Sequence, residues 1–371
     1  MTTRPLPAWV DVGVLPLANV ALALCVAGLV VLAVGVDPRD AVRIMLAGAF
    51  GDAEGIGYTL YYATNFVFTG LAVALAFHAG LFNIGGEGQA YVGGLGAALV
   101  ALAGDAVLPA PLLIPLAILG AAACGAGWAA IPGWLQAYRG SHIVVTTIMF
   151  NFIAAALMVY LLVNVLIAPG QMSPETRELG PAAHVPAVHA LLDGLAVSPL
   201  NLSALGALAC CAVVWVLLWH TPWGFELRAL GHNPAAARYA GIDVRRATVL
   251  VMAASGALAG LVGVNEILGV HHRLILNFTA GYGFGGIAVA LMGRNHPIGV
   301  VLASLLFGAL TQGGAELAFE IPALSRDMIV VIQGLVILFS GALANMTRPW
   351  LEAAAHRLVR RPTATVQPRE A

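Results

Sequence analysis

The sequence contains no lysine, since all 17 basic residues are arginine. A phosphate-binding loop of the G-x-x-x-x-G-K-[ST] kind needs a lysine to reach the phosphates, so the chain carries no such ATPase site of its own. Charge of either sign is scarce, at 9% of residues where soluble domains carry about 25%. With 60% hydrophobic residues and a mean hydropathy of +0.90, a water-soluble globular enzyme is excluded, and the 371 residues are to be counted in membrane spans. The formal net charge of −1 supplies no basic field for nucleic acid. Cysteine is sparse too: Cys25, Cys124, Cys210 and Cys211 all fall in apolar runs, where they act as small hydrophobes and not as a disulfide framework. Neither H-E-x-x-H nor G-x-S-x-G occurs, and the histidines at 271, 272 and 296 have no partner at i+4 that would make a metal site.

What is abundant is apolar sequence. Runs near 17–36, 59–78, 88–103, 111–131, 143–168, 201–219, 248–269, 283–293, 298–312 and 327–344 predict about ten helices. At ~1.5 Å per residue, 20 residues cover the hydrocarbon core, so 88–103 and 283–293 are too short for a simple crossing. The expected fold class is all-α, a polytopic transmembrane helical bundle with interrupted helices. Residues 1–58 read as a first span and external segment, 59–344 as the core, and 345–371 as a disordered inner tail. Within the core, 169–200 is the expected external loop and 220–247 the expected inner one. With the N-terminus inside, 12 of the 17 arginines fall on the inner side, the bias that cytoplasmic segments carry, and both termini are expected in the cytoplasm.

The segment 77–94 interrupts this pattern with repeated glycines and sets Asn83, Glu87 and Gln89 beside two spans. At membrane depth, non-helical backbone survives only where protein or a watery cavity satisfies it, and interrupted helices aim polar groups at a solute. The segment is therefore expected to line a transport path. The alternative is a tight hairpin in which Asn83 and Glu87 cap a helix start. A second candidate break is Gly281 to Gly286, with Tyr282 and Phe284 between glycines; close packing at a helix start reads equally well. Neutral hydrogen-bonding residues in or near the spans, Asn65, Thr69, Thr146, Thr147, Asn151, Asn265, Asn277 and Gln333, serve either as helix-to-helix glue or as path lining. The candidate path comprises Asn83, Glu87, Gln89, Asn65, Asn151, Tyr282 and Phe284. Glu87 and Glu266 are costly to bury, so each needs a partner or water; the alternative for Glu266 is a place at the outer interface.

The inner loop 220–247 contains a compact helix signal. Asn233 suits the N-cap, Pro234 the first turn, and Gly241 the left-handed position after the end. A helix of about seven residues is too short to hold in water alone and needs a partner surface. Arg228 and Arg238 are the candidate partner contacts, whereas Arg245 and Arg246 fit orientation at the next span's entrance.

The string GLFNIGGEGQ at 80–89 closely resembles the signature of membrane permeases of ABC importers in the simple-sugar and nucleoside branch. The likeness extends through ELRALGHNPAAARYAGI at 226–242 and GYGFGGIAVALMGRNHPIGVVLASLLFGAL at 281–310. The resemblance implies a vectorial reaction in a bacterial cytoplasmic membrane, no cofactor on this chain, and ATP with Mg on a separate ATPase subunit. It also implies a second permease subunit, the same or different, and an extracytoplasmic substrate-binding lipoprotein or periplasmic protein. On the resemblance, 233–241 with Arg228, Asn233, Pro234, Arg238 and Gly241 is the coupling helix that enters a groove on the ATPase. The rival readings are an ion-coupled secondary transporter using Glu87 or Glu266, and an intramembrane enzyme, for which no nucleophile and base pair up.

Overall fold

The computed structural model describes residues 15–191 and 196–321, with Leu324, Val330, Val331, Gly334 and Leu335 beyond them. The run expected at 327–344, with Gln333, and the tail at 345–371 thus lie outside the described residues, apart from those isolated positions. The chain divides into two compact units, 1–41 with 322–371 and 42–321. In the first, α1 (Leu15–Ala33) leads to the opening turn of α2 (Pro38–Phe50), where the Asp37 carboxylate accepts from the Arg39 amide at 2.9 Å.

The second unit is helical throughout, with no named strand among the described residues. Its elements are α3 (Ala53–His78), α4 (Gly86–Gly104), α5 (Ala110–Trp134), α6 (Ile143–Asn164), the short α7 (Val188–Leu191) and α8 (Ser203–His220). They continue with α9 (Pro222–His232), α10 (Pro234–Tyr239), α11 (Val244–Gly260), α12 (Tyr282–Met292) and α13 (Pro297–Glu320). α5 and α11 each run on into a π-helical turn, Leu135–Arg139 and Val264–His271. Among the described residues, 6 helices are long and apolar enough to cross a membrane.

α3 is the axis. The Asp52 side chain accepts from the Gly55 amide at 2.6 Å, which starts the helix, and Glu54 complements its positive end. From Ala63 to Ala76 every residue is buried, so this helix has neighbours on all sides and no amphipathic stripe. α8, α11, α12 and α13 pack around it, while α4 lies between α5, α6 and α11. At the α4–α11 crossing Gly93 meets Gly260, and a side-chain carbon on Gly93 would overlap the opposing backbone. Small residues permit the approach that lipid does not drive. Phe152, Val159, Leu205, Leu208 and Val213 of α6 and α8 remain exposed, as lipid-facing side chains do.

Two helices escape the apolar-run reading. α2 carries Arg39, Asp40 and Arg43, and α9 carries Glu226 and Arg228, so neither is an apolar run. α13 extends to Glu320, eight residues past the expected end, because Gln312 and Glu316 continue the helix where hydropathy falls; the Glu316 stem packs over Gly48.

The long loop after α6 is ordered where it is described, and it is pinned to the bundle. Leu179, Ala183 and Val185 are buried against Leu268 and Leu274. Arg177 grips Asp105 through two bonds of 2.7 and 2.9 Å, and the same carboxylate accepts from the Gly180 amide at 2.8 Å. The guanidinium hydrogen bond, aided by the Gly180 amide, holds the Asp105 carboxyl below the usual carboxylate range. Because the folded value is depressed, the clasp stabilises fully above the unfolded value of about 3.9 and is lost as pH falls through the lower folded value. Asp105→Asn is expected to speed amide exchange over 177–183 at pH 7 while the interior of α4 stays protected. Unchanged exchange in that loop would show that the clasp contributes nothing.

Candidate functional site

Two helices begin in the middle of the bundle and point in opposite directions. Ser255 of α11 donates to the Ala72 carbonyl at 2.6 Å and Asn265 donates to the Tyr61 carbonyl at 3.3 Å, so α11 runs antiparallel to α3. α4 follows α11, with Gly93 against Gly260 and Gly94 against Gly263. α12 instead runs with α3: Tyr282 packs edge-on to Phe66 at 5.3 Å, Gly286 meets Thr69, and Val289 meets Gly70. Phe66 is at the midpoint of α3, which places the start of α12 at mid-depth. The start of α4 lies at the same level, since Gly86 abuts Gly283. Two helix N-termini, each with free amides and a positive end, therefore meet at the centre.

One carboxylate serves both. Glu87, in the first turn of α4, accepts from the Thr279 hydroxyl at 2.6 Å and from the Gly281 and Gly283 amides at 3.0 and 2.8 Å. Gly281 takes φ +83 as the N-cap of α12, a left-handed conformation that suits glycine. Glu87 thus caps a helix, as the hairpin alternative holds, but the helix lies almost 200 residues away and not within the hairpin.

The interrupted stretch before α4 is satisfied by amides. Asn83 and Gln89 exchange two bonds, 2.9 and 3.0 Å, and Asn83 also donates to Ser255 at 2.9 Å and accepts from the Gly85 amide at 2.9 Å. Both residues are fully enclosed. Asn151 of α6 closes the gap from the other side, accepting from the Gly88 amide at 2.8 Å and donating to the Ile84 carbonyl at 2.9 Å. These three residues hold the break in shape.

Beside this junction is a cavity of about 310 Å³ lined by Glu87, Tyr91, Asn151, Asn277 and Thr279 with the backbone of Gly281. Its volume reaches the low end of the roughly 300–1,000 Å³ of small-molecule sites. Tyr91 stacks on Phe278 at 5.3 Å, and its hydroxyl donates to the Asn277 side chain and accepts from the Asn277 amide. Of four larger cavities among the described residues, two of about 510 Å³ and one of about 400 Å³ are lined almost wholly by carbon, and one of about 380 Å³, beside Glu226, Asp243 and Arg246 next to α10, is polar. Of the candidate path residues, the structure brings Glu87 and Asn151 to the polar cavity. Asn83 and Gln89 sit behind it as supports. Phe284 is 50% exposed on the flank of α12. Thr69, Thr146 and Thr147 spend their hydroxyls on carbonyls of their own helices.

Asn65 and Tyr282 belong to a second polar cluster. Glu266 is 2% exposed, a buried carboxylate with partners and not an interfacial one, and accepts from Tyr61 at 2.6 Å and Asn65 at 2.5 Å, with His271 Nε2 at 3.3 Å from its second oxygen. Asn265 donates to Asn65 at 2.9 Å and accepts from Asn201 and Ser203 at 2.9 and 2.6 Å. The buried Tyr282 hydroxyl lies beside Asn65 and Tyr61. The cluster ties α3, the π turn after α11, the start of α8 and the start of α12 together. Tyr91, Thr279, Tyr61, Asn201 and Ser203 carried no expectation; only Tyr91, inside the glycine-rich stretch, had a sequence signal.

At the opposite end of α3 is the short helix α10. The Asn233 side chain accepts from the Ala235 and Ala236 amides at 3.0 and 3.1 Å, Pro234 occupies the first position, and Gly241 takes φ +87. The Ile242 amide closes on the Ala237 carbonyl at 3.1 Å. Ala237 is buried, while Arg238 and Tyr239 project, Tyr239 with 96% exposure. Arg228 is half-buried on α9, with its Nε donating to the Gly224 carbonyl at 3.4 Å.

The model of the family described as "branched-chain amino acid transport system / permease component" matches residues 55–341. The chain is 37% identical over 342 residues to a glucose ABC transporter permease protein of Haloferax volcanii, covering 91% of this chain and 88% of that one. It is 37% identical over 325 residues to a guanosine ABC transporter permease protein of Bacillus subtilis, covering 87% and 91%. A nucleoside ABC transporter permease protein of Lactococcus lactis is 32% identical over 330 residues, covering 87% and 89%. These relatives favour the importer over an ion-coupled carrier. With interrupted helices, a capped short helix at α10 and matches to such proteins over most of its length, the chain belongs to the permease-component family of ABC transport systems.

Proposed function

We propose that this chain forms the translocation path of an ATP-driven importer for an uncharged, hydroxyl-rich solute, a nucleoside or a simple sugar. The observation that carries the reading is the filled anion position between α4 and α12. Helix N-termini attract anionic groups, and here the Glu87 carboxylate already occupies that place. A phosphate or carboxylate on the cargo would meet like charge, whereas hydroxyls find Asn151, Asn277, Thr279 and the outer face of Glu87. The names of the relatives, glucose on one side and nucleosides on the other, support the same class.

In this reading α10 docks on a separate ATPase subunit that holds ATP and Mg, and this chain supplies no nucleotide site. Tyr239 is the anchor, since an exposed aromatic on a short rigid helix suits a groove. Arg238 adds charge beside it. The chain pairs with a second permease subunit and receives cargo from an extracytoplasmic binding protein. The membrane is the bacterial cytoplasmic one, with α10 and both termini inside.

Uptake of guanosine and glucose into proteoliposomes tests the function. Accumulation is expected only with the ATPase subunits and ATP present; uptake by the permease alone, or uptake abolished by an ionophore, overturns the reading. Glu87→Gln is expected to lower uptake about tenfold, the effect of some 1.4 kcal/mol at one step, while the complex still assembles. Tyr239→Ala is expected to weaken ATPase retention on an affinity column by ten-fold or more, as loss of an aromatic anchor of about 2 kcal/mol does. Orientation is checked in a background with the four native cysteines replaced. Glu178→Cys should react with an impermeant maleimide in intact cells, and Tyr239→Cys only after permeabilisation; the reverse pattern inverts the topology.

A further inference from the structure

α10 is at one end of the bundle and the cavity is at its middle, so a stroke on α10 needs a route inward. Gly231, two residues before the N-cap of α10, is pressed against the end of α3. A side-chain carbon there would overlap the His78 carbonyl and come within 3.0 Å of the Gly80 amide nitrogen. Gly80, at φ +73, opens the stretch that climbs to Gly85 and the start of α4. The His78 ring points a second way. Its Nε2 is 3.0 Å from the carbonyl oxygen of Asn295, and because a carbonyl only accepts, that nitrogen carries the proton. Asn295 and its neighbour Arg294 both hold φ 55, in the turn between α12 and α13. Two successive non-glycine residues in the left-handed region persist only where the surroundings hold them there. Trp219, at the end of α8, packs edge-on to the His78 ring at 5.3 Å and against His296 at 5.1 Å, closing the cluster.

We propose that His78 and Gly231 form the junction through which displacement of α10 reaches both half-helices. The backbone contact at Gly80 carries it to α4, and the His78–Asn295 hydrogen bond carries it to α12. Glu87 joins the start of α4 to the start of α12, so a shift arriving through the Gly80 stretch or through the foot of α12 is felt at the cavity. His78 touches no cargo and is a positioning residue. The inference rests on the importer reading and adds the route by which that motor is coupled.

The test compares cargo moved per ATP hydrolysed in proteoliposomes containing the ATPase and the binding protein. His78→Phe keeps a ring on Trp219 and removes the donor. Its ratio is expected to fall about fivefold, the effect of one hydrogen bond on a conformational equilibrium, with ATPase retention and hydrolysis near wild type. His78→Gln restores a donor and should recover at least half of the ratio. A His78→Phe complex with the wild-type ratio, or a Gln variant no better than Phe, overturns the junction; a purely structural His78 would alter assembly and leave the ratio unmoved. A second measurement needs no variant. When the wild-type complex is trapped with ATP and vanadate, amide exchange should change together at 79–86 and 290–296. A change at α10 with none at those two segments also overturns the proposal. Absence of ATP-dependent uptake by the wild-type complex would instead remove the importer reading, an outcome distinct from a variant that couples normally.

Discussion

A bilayer offers no water to a broken helix, and everything at the centre of this protein follows from that. Each free amide or carbonyl left in hydrocarbon costs several kcal/mol. The chain nevertheless stops α4 and α12 at mid-depth, leaving their first-turn amides without helical partners. The Glu87 carboxylate takes the amides of Gly281 and Gly283, and Asn83 and Asn151 take those of Gly85 and Gly88. Once these partners are fixed, the cavity beside them is fixed too, because Glu87 and Asn151 line it while holding the backbone. The same two side chains support the break and line the cavity.

This double duty constrains what the cavity can hold. A buried carboxylate is tolerable because the two helix ends stabilise its charge, and that same neutralisation leaves the pocket without a net positive centre. A polar but uncharged solute can exchange hydrogen bonds with Asn277, Thr279 and Asn151 without displacing the cap. The Glu266 cluster is a different kind of object. Its carboxylate is closed in by Tyr61 and Asn65, and His271 approaches from the side, so the cluster joins elements and leaves no room for cargo.

Much of this was legible in the sequence, for identifiable reasons. The break at 77–94 showed because glycines and three polar residues interrupt an apolar run, and the α10 helix showed because its cap, proline and terminal glycine are neighbours in sequence. Local chemistry can be read locally. The partners of Glu87 were not legible, since Thr279, Gly281 and Gly283 are almost 200 residues away and nothing in either segment names the other. Which of its two readings holds for Glu266, buried with a partner or interfacial, was not legible for the same cause: the Tyr61 and Asn65 that enclose it are about 200 residues away. The bond of Arg228 back to the Gly224 carbonyl needs the α9 helix to be formed, and α2 and α9 were missed because helices that mix charged with apolar residues do not stand out by hydropathy.

The geometry also explains why the interrupted helices take this form. A continuous helix through the centre would place its amides in its own ladder and offer a solute only side chains. Stopping two helices short, head to head, frees backbone donors at one level and brings one carboxylate to bind them. The two helices then extend to opposite ends, α4 towards the clasped loop at Asp105 and Arg177 and α12 towards the strained turn at Arg294 and Asn295. The Glu87 cap is where the starts of these two helices are tied together. The cap is thus the costliest place to leave unsatisfied, because losing that one carboxylate would strand the first-turn amides of α12 at mid-depth.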